Sequence, residues 1–516
     1  MQTYSFSRYL SILILLSCAG CAALPDNSNL KPSYAIEDTS HTRIAHLLAK
    51  SPQYNNGKNG FVLLGDGLDA FVARAQLAES ADISIDVQYY LFHSDDVGKL
   101  FSGVLWKAAD RGVRVRLLID DMDLKGRDNA LVALNNHPNI EVRVFNPFNR
   151  SMARLPQYVT GFGSITRRMH NKSFNVDNLV SIVGGRNIGN EYFNANPSLA
   201  FSDLDVIAAG KVAKEVSRSF DEYWNSSSAY TVDLLLRDKL DKQAIKSIQS
   251  KFKTFLDVYS DSPYVKALKN SKLSQQLKDG RVQYFWGKAD VVADHPNKIV
   301  SSRDANDLHL MTQLAPHFQS VKNQLIMVSP YFVPGEEGVE FFQKMIDKGV
   351  SVKILTNSLA SSDVSFVHAG YSDYREELLR IGVELYEMNK MRVPNVSARK
   401  GRIGDSSKAS LHAKTFVLDD EKIFVGSLNL DPRSFYENSE IGMVIESKEM
   451  AQTMSDKLKQ IFERDVFKLE LTSDGEIIWH GYEQDEKVIF NTDPYTSVWQ
   501  RFSAWFLSLL PIESQL

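Results

Sequence analysis

The chain carries one short motif twice, and the two copies agree over a longer stretch than the motif itself. His-x-Lys-x4-Asp occurs at 170–177 and again at 412–419. Each copy runs on into a glycine turn ending in an asparagine, and the interval from histidine to asparagine is 17 residues in both, since 187 − 170 equals 429 − 412. With 11 histidines in the chain, chance would supply about 0.05 copies of the motif. The repeat therefore predicts two related units, each built around one copy.

The surroundings of the two motifs repeat as well. Strand character at 83–90, a helical pattern over 97–111 and a strand at 112–119 are retraced by 324–331, 338–348 and 349–355. This order predicts a βαβ crossover with parallel strands, and Gly112 and Gly349 stand at the helix-to-strand turn, where a positive φ is commonly needed. We therefore predict an α/β fold of two pseudo-symmetric lobes. Each lobe would be a mixed, mostly parallel sheet flanked by helices, with the active site at the lobe interface.

Segment boundaries follow from this repeat and from local composition. A polar spacer precedes the first lobe, and a polar, mostly helical region separates the lobes. The predicted segments are 1–21 (signal), 22–58 (spacer), 59–225 (first lobe), 226–300 (helical connection), 301–470 (second lobe) and 471–516 (tail).

The repeated residues suit phosphate chemistry. In a strand, positions i and i+2 share a face, so each His-x-Lys would present an imidazole and an ammonium together, and the glycine turn would return the asparagine beside them. Lysine and asparagine donors can cradle phosphate oxygens while one imidazole attacks and the other protonates the leaving alkoxide. The candidates are His170 and His412, Lys172 and Lys414, and Asn187 and Asn429. Ser427 is a further candidate phosphate donor in the second turn, where the first turn has Gly185.

A nucleophilic imidazole needs its second nitrogen held by a carboxylate, which fixes the tautomer. Glu440 lies 28 residues after the second histidine, and Asp203 takes the same place 33 residues after the first. We therefore predict that each acid serves the histidine of its own copy. Asp177 and Asp419 close the motifs seven residues beyond the histidines, and we interpret them as structural.

These motifs identify the chain as resembling the phospholipase D superfamily, whose signature is two H-x-K-x4-D motifs, each followed by G-G/S-x-N, here within 164–191 and 406–433. The resemblance implies a bilobal phospholipase D-like fold, a phosphohistidine intermediate, and neither metal nor other cofactor. Further segments, at 168–174, 183–189, 201–206 and 431–434, are similar to the bacterial class C cardiolipin synthases. That similarity implies phosphatidylglycerol as acceptor, cardiolipin as product and phosphatidylethanolamine as a donor, with any accessory protein unspecified.

Two other functions remain open on the residues alone. The same motif pair serves hydrolysis, with water as acceptor, in a phospholipase D or a nuclease. A non-enzymatic surface lipoprotein is the third possibility, and the intact duplicate motif argues against it. The net charge of −4 argues against nucleic acid as a partner, because non-specific affinity for it comes from basic surfaces.

The N-terminal segment predicts export. One arginine, the apolar run 9–16 and small residues follow one another, and the run is too short for the ~20 residues of a membrane span. The chain has two cysteines, Cys18 and Cys21, so the body has none for disulfides, zinc or nucleophilic work. We predict lipidation at Cys21, with Cys18, a plain cleaved signal or a short anchor as alternatives, and location at the bacterial cell membrane.

Two helical patterns remain. The tail 498–510 places aromatic residues on one helical face, which fits either a membrane-interface helix or a helix docked on the protein's own core. His368 lies in a helical pattern between 364 and 387, where a structural role is the commoner outcome and contact with substrate the alternative.

Overall fold

The computed structural model describes residues 24–160, 163–196, 199–236, 240–279, 281–392 and 408–508. The signal segment with Cys18 and Cys21, and the end of the tail, lie outside these ranges. The first half contains, in order, α1 (Arg43–Leu48), α2 (Pro52–Asn55), β1 (Asn59–Leu64), α3 (Gly67–Ser80), β2 (Ser84–Tyr89), α4 (Asp96–Asp110), β3 (Arg114–Asp120), α5 (Asp128–Asn135), β4 (Ile140–Phe145), α6 (Arg154–Thr160), β5 (Ser173–Val176), β6 (Val180–Gly184), β7 (Leu199–Ser202), β8 (Asp205–Ala209) and α7 (Lys211–Trp224).

The connection and the second half follow. The connection holds β9 (Ala229–Thr231), α8 (Val232–Leu235), α9 (Lys242–Tyr259), α10 (Pro263–Lys269) and α11 (Lys272–Lys278). The second half contains β10 (Phe285–Ala293), α12 (Leu310–Gln319), β11 (Gln324–Val328), α13 (Gly335–Asp347), β12 (Ser351–Asn357), α14 (Ser365–Ser372), α15 (Arg375–Arg380), β13 (Glu384–Met388), β14 (Lys408–Leu411), β15 (Thr415–Leu418), β16 (Lys422–Gly426), α16 (Pro432–Tyr436), β17 (Ile441–Glu446), α17 (Lys448–Arg464), β18 (Val466–Leu471), β19 (Ile477–Glu483), β20 (Glu486–Phe490) and α18 (Val498–Ser508).

The two halves have the same sheet topology. In the first, the strand order is β9-β4-β3-β2-β5-β6-β8-β1, with β2, β3 and β4 parallel and the other pairings antiparallel. In the second, the order β18-β13-β12-β11-β15-β16-β17-β10 repeats it, with β11, β12 and β13 parallel. The predicted α/β class and the βαβ crossovers are confirmed, and Gly112 and Gly349 have φ of 96° and 83°. The prediction that each sheet is mostly parallel is wrong, because only the βαβ strands pair in parallel and the strands that follow the motif form antiparallel hairpins.

The halves join edge to edge through β1 and the start of β10, which pair antiparallel from Asn59 with Gly287 to Phe61 with Phe285. The rest of β10 pairs with β17, as β1 pairs with β8. β10 lies within the predicted helical connection 226–300, but its hydrogen bonds to β17 make it part of the second sheet. The second sheet also extends past residue 470, because β19 and β20 add to its edge beside β18.

Burial follows the alternation of the strands and the apolar faces of the helices. One apolar core lies between the first sheet and α3, α4 and α5, and a second between the other sheet and α12, α13 and α15. A third combines side chains of both halves, with Phe61 and Val206 against Val425 and Met443. Because this shared core is apolar and fully buried, the two halves form a single packed unit across the interface. Among the described helices, none combines the length and the hydropathy that crossing a membrane requires.

Candidate active site

Each His-x-Lys segment lies immediately before a strand. Residues 170–172 precede β5 and residues 412–414 precede β15, outside the ladder hydrogen bonds. The prediction that these residues are part of the strands is therefore wrong by a few positions. The reason is that the chain in front of each strand pairs with the other half of the molecule.

The backbone before each motif histidine binds across the interface. The His170 amide donates to the Ser439 carbonyl (2.8 Å), and the Ser439 amide donates to the carbonyl before the motif at Arg168 (2.9 Å). In the other half, β14 pairs with β7 in parallel, and the His412 amide donates to the Ser202 carbonyl (2.8 Å). Each histidine is thus attached to the residue that precedes the other half's catalytic carboxylate candidate.

The two carboxylates consequently cross over. Nδ1 of His170 lies 2.9 Å from both carboxylate oxygens of Glu440, and Nδ1 of His412 lies 2.6 Å from Oδ2 of Asp203. The predicted acids are the ones that contact the imidazoles, but the pairing by copy is wrong. Sequence spacing measures distance within a copy, and these contacts are made by the interface between copies.

Gly185 and Ser427 occupy equivalent positions and support these carboxylates differently. A Cβ on Gly185 would lie 2.2 Å from Oδ1 of Asp203, so only glycine leaves room for that acid. The Ser427 hydroxyl instead donates to Oε2 of Glu440 and accepts from the Ile441 amide (3.0 Å). Ser427 is fully buried and bonded to the acid, so the expectation that its hydroxyl serves substrate phosphate is wrong.

Both motif lysines are buried beneath the imidazoles. Nζ of Lys172 donates to the His170 carbonyl (2.6 Å), and Nζ of Lys414 donates to the His412 carbonyl (2.5 Å). Nζ of Lys414 also lies 3.0 Å from Nδ1 of His412. One N–H of each ammonium holds the backbone, and two further N–H donors remain on each.

The two asparagines differ. The Asn187 side chain accepts from the Leu91 amide (3.1 Å) and donates to the Tyr192 hydroxyl (2.9 Å), so it braces the loop. Asn429 is buried, and its Oδ1 has no hydrogen-bond partner in the described part of the chain. Both residues line the same cavity.

The aspartates that close the motifs hold backbone. Asp177 accepts from the amides of residues 82, 83 and 84 at 2.8–2.9 Å, and Asp419 accepts from those of residues 322, 323 and 324 at 2.7–2.9 Å. Each thereby fixes the start of the central parallel strand of its half. Neither aspartate is among the residues that line the cavity described next.

The two imidazoles line one cavity of about 530 Å³. Its lining includes both motif histidines and both asparagines, together with Tyr90, Leu91, Tyr192, Tyr331, Asp363, Val364, Phe366, Val367, Asp431, Arg433, Ser434 and Asn438. Since Nδ1 of each histidine is held by a carboxylate, Nε2 is the nitrogen available to a group in this cavity.

Electrostatics make the two histidines unequal. Burial lowers the pKa of His170 well below its usual range, and Lys172 and Lys414 lower it further. Burial and Lys414 also lower the pKa of His412, but Asp203 opposes that shift. His170 is therefore neutral at pH 7, and His412 is the histidine that more readily holds a proton.

The pKa values of the two carboxylates and the two motif lysines are also shifted. Burial raises the pKa of Glu440 to about 7, whereas for Asp203 the charge and hydrogen bond of His412 outweigh burial and lower the pKa. Burial lowers the pKa of Lys172 to about 7 and that of Lys414 to about 8. Such separation of like groups is typical of acid–base assignments in active sites.

Sequence reasoning missed a support for Glu440. Oδ2 of Asp294 accepts from the Glu440 amide (2.7 Å), Oδ1 accepts from the Leu310 amide (2.6 Å), and Lys298 lies 3.0 Å away. Asp294 directly follows the last residue of β10. Its role could have been predicted only by assigning that strand to the second sheet.

His368 takes the structural alternative. It is buried on α14, where its Nε2 accepts from the Arg375 guanidinium (2.9 Å) and lies 3.5 Å from Asp493. It is absent from the cavity lining, which α14 reaches through Phe366 and Val367, and to which Val364 contributes directly before the helix.

No group of three or more His, Cys, Asp or Glu side chains within the described ranges is arranged to hold a metal ion.

Comparison with known proteins places this geometry in context. A family profile described as "Cardiolipin synthase, PLD-like domain" matches residues 75–224 and 314–465, one match in each half. Cardiolipin synthase C of Escherichia coli is 40% identical over 471 residues, covering 91% of this chain and 99% of that protein. A cardiolipin synthase of Listeria monocytogenes is 26% identical, covering 80% of this chain and 69% of its own length.

The fold has a solved relative. The crystal structure of a phosphatidylserine synthase from Haemophilus influenzae superposes with a TM-score of 0.54 at 15% sequence identity, covering 82% of this chain and 92% of that one. At this identity the likeness concerns the fold.

Proposed function

The chain belongs to the cardiolipin synthase family of phospholipase D-like proteins, and from this premise we propose that it is a cardiolipin synthase. It would transfer a phosphatidyl group from a phospholipid donor to phosphatidylglycerol. The observation that carries the proposal is the pair of buried His–carboxylate contacts across one cavity, on a chain 40% identical to a cardiolipin synthase over nearly its whole length.

In the first step, Nε2 of neutral His170 attacks the donor phosphorus, and the bond from phosphorus to the headgroup oxygen breaks. Glu440 at Nδ1 stabilises the positive charge that forms on the imidazole. His412, which more readily holds a proton, gives it to the departing headgroup oxygen. The product of this step is a phosphatidyl group on His170 and a free headgroup alcohol.

In the second step, the free hydroxyl of phosphatidylglycerol gives its proton to His412 and attacks the same phosphorus. The bond from phosphorus to His170 breaks, and cardiolipin leaves. Asp203 holds His412 in the tautomer that this proton transfer needs. Lys172, Lys414 and Asn429 supply donors for the phosphate oxygens.

The reaction is tested with purified protein and vesicles of labelled phosphatidylethanolamine and phosphatidylglycerol. We expect labelled cardiolipin from the wild type, label trapped on His412→Ala protein, and no trapped label on His170→Ala. If both variants trap label, or neither does, the assignment of His170 as sole nucleophile is wrong. If phosphatidic acid forms in place of cardiolipin, the protein is a hydrolase.

We place the protein on a bilayer through α18. Trp499 is 72% exposed, Phe502 47%, Trp505 57% and Phe506 51%, a density of exposed aromatic groups typical of an interfacial helix. α18 packs against α14, which lines the cavity and carries the half-exposed Phe366. The aromatic face therefore lies beside the helix that borders the substrate, and Cys21 would add a lipid anchor after export.

Vesicle flotation tests this placement. Replacing Trp499 and Trp505 with serine should weaken binding to phosphatidylglycerol vesicles severalfold, with activity on detergent-dispersed lipid retained. Tyr34→Ser, at an aromatic residue that is 62% exposed elsewhere, is the matched control. Unchanged flotation of the double variant would contradict the role of α18.

A further inference from the structure

The two walls of the catalytic cavity descend from equivalent segments of the repeat but differ in chemistry. The Ile188 amide donates to the Leu91 carbonyl, and the Leu430 amide donates to the Tyr331 carbonyl, both at 3.1 Å. Leu91 and Tyr331 therefore occupy the same place in their halves, and both line the cavity. The first half puts an apolar side chain there and the second puts a phenol.

The difference extends to the neighbouring positions. Four residues beyond the motif asparagine, the first half has Glu191, which is engaged by His93 (2.9 Å), and the second has Arg433, which lines the cavity. On the same wall, the Tyr331 hydroxyl donates to Oδ2 of Asp363 (2.9 Å). The second wall thus presents a carboxylate, a hydroxyl and a guanidinium to the cavity.

Of this polar wall, Asp363 lies on the side of the acid–base histidine, whereas Arg433 is among the charges that lower the pKa of the buried His170. Asp363 and His412 line one cavity, and the charge of Asp363 opposes the lowering of the pKa of both His412 and Lys414. The alcohol that leaves in the first step and the alcohol that attacks in the second both exchange their proton with the same histidine. Both must therefore sit next to this wall.

We propose that Asp363, oriented by Tyr331, is the subsite for the headgroup alcohol. The carboxylate accepts a hydrogen bond from a second donor group of that alcohol, which is attached to the second carbon from the reacting oxygen. This inference rests on the proposed function. A glycerol headgroup offers a hydroxyl at that position, and an ethanolamine headgroup offers an ammonium group. A carboxylate accepts from either.

We assign Arg433 on the same wall to the acceptor's own phosphate. An acceptor lipid brings a second phosphodiester besides the one that reacts, and a guanidinium matches its oxygens. One N–H of Arg433 donates to the Thr166 carbonyl, and the residue lines the cavity. The subsite therefore has two parts, of which free glycerol would use one and phosphatidylglycerol both.

The test uses soluble alcohols as acceptors of the phosphatidyl group. The wild type, Asp363→Ala and Asp363→Asn proteins are given glycerol, ethanolamine or 1-propanol, which lacks the second donor. In the wild type, we expect kcat/KM for glycerol to exceed that for 1-propanol by about tenfold or more. Asp363→Ala should remove this preference, so that within the variant kcat/KM for glycerol falls to that for 1-propanol. Asp363→Asn should retain the preference for glycerol, because an amide oxygen still accepts, and should lose that for ethanolamine.

A second arm separates the two parts. Arg433→Gln should raise the KM for phosphatidylglycerol about tenfold without changing the KM for free glycerol, and Arg433→Lys should restore part of the loss. Asp290→Asn, at an exposed carboxylate on β10 with 64% side-chain exposure, is the control for a surface charge change.

Each outcome decides the proposal. An Asp363→Ala protein that still prefers glycerol over 1-propanol would overturn the subsite. Equal effects of Arg433→Gln on both acceptors would overturn the assignment of the phosphate. A wild-type protein that transfers the phosphatidyl group neither to the alcohols nor to phosphatidylglycerol would instead refute the proposed function. The subsite affects only the choice among acceptors.

Discussion

The first and second halves of the molecule share the same motif residues in the same arrangement. They differ in the carboxylates that support the histidines and in the side chains that line the cavity. In both, a motif aspartate holds the start of a parallel strand, and a histidine and an asparagine line one cavity. The motif lysine of each half donates to the backbone carbonyl of its histidine. Each half lacks, however, the carboxylate for its own histidine, because the crossed contacts supply it from the other half. A single half would therefore hold an imidazole with no carboxylate at Nδ1, and the interface is part of the active site.

The carboxylates also show how duplication permits a division of labour. Asp203 fits against Gly185 and keeps its charge beside His412, whereas Glu440 is bonded to Ser427 and has a pKa raised to about 7 by burial. Equivalent positions thus provide one histidine suited to attack and one suited to carry a proton.

Removing the charge of either carboxylate gives the largest expected effect and tests the crossing directly. Glu440→Gln and Asp203→Asn should each lower kcat on the order of 10⁴-fold, as loss of the histidine-orienting acid does in a Ser-His-Asp triad. Because Glu440 serves His170, its variant should form the phosphohistidine slowly. The Asp203 variant should still form the phosphohistidine but transfer its phosphatidyl group onward slowly, so that labelled protein accumulates. Rapid-quench measurement of the labelled protein distinguishes the two, and reversed behaviour would show that each acid serves its own copy.

Exchanging side chains at the glycine turn gives the next largest effect. Gly185→Ala should displace Asp203 and lower kcat roughly a hundredfold, since Cβ would contact Oδ1 at 2.2 Å. Ser427→Ala removes one hydrogen bond to Glu440 and should cost about tenfold or less. The measurement is kcat at saturating lipid, with circular dichroism to confirm folding. Equal losses in the two variants would contradict the different support of the two acids.

The asparagine pair should separate catalysis from stability. Asn429→Ala is expected to lower kcat/KM about tenfold with little change in unfolding free energy, because its Oδ1 has no partner among the described residues. Asn187→Ala should lower the unfolding free energy by ~1–3 kcal/mol, since the Leu91 amide and the Tyr192 hydroxyl lose their partner. Denaturant titration and kinetics on both proteins measure this contrast. Identical profiles would show that both asparagines have one role.

The smallest effect is a shift of the pH profile. Lys414 is a cation below its pKa of about 8 and neutral above it, so kcat/KM should fall as pH rises through that value and phosphate oxygens lose a charged donor. Glu440, with a pKa of about 7, is ionised above that value, which produces a fall on the acid side. Lys414→Arg stays charged and should move the alkaline limb upward while the acid limb stays in place. An unmoved alkaline limb would assign that limb to another group.

Much of the fold follows from the sequence because its repeat is periodic and local. The βαβ units, the glycine turns and the two motifs are each specified by residues within about 30 positions, and their bounds differ by only a few residues from those in the structure. The structural role of Asp177 is not local in this sense, because the backbone amide of Ile83 that it binds lies 94 residues earlier in the chain.

The features of the site that could not be predicted from the sequence depend on contacts between the two halves. The partner of His170 is 270 residues away, and no spacing rule within a copy reaches that far. The role of Asp294 was missed for a related reason, because the alternation in β10 is weak and its pairing is set by both sheets. The broken equivalence of Leu91 and Tyr331 becomes visible only when the two halves are superposed through their backbone hydrogen bonds.

The central claim is that two histidines from two halves form one phosphatidyl-transfer site. Expression in a bacterium lacking its own cardiolipin synthases, followed by analysis of total lipid, tests it most directly. We predict that cardiolipin appears with the wild type and is absent with His170→Ala and with His412→Ala at equal protein levels. Cardiolipin from either single variant, or phosphatidic acid without cardiolipin from the wild type, would contradict the account.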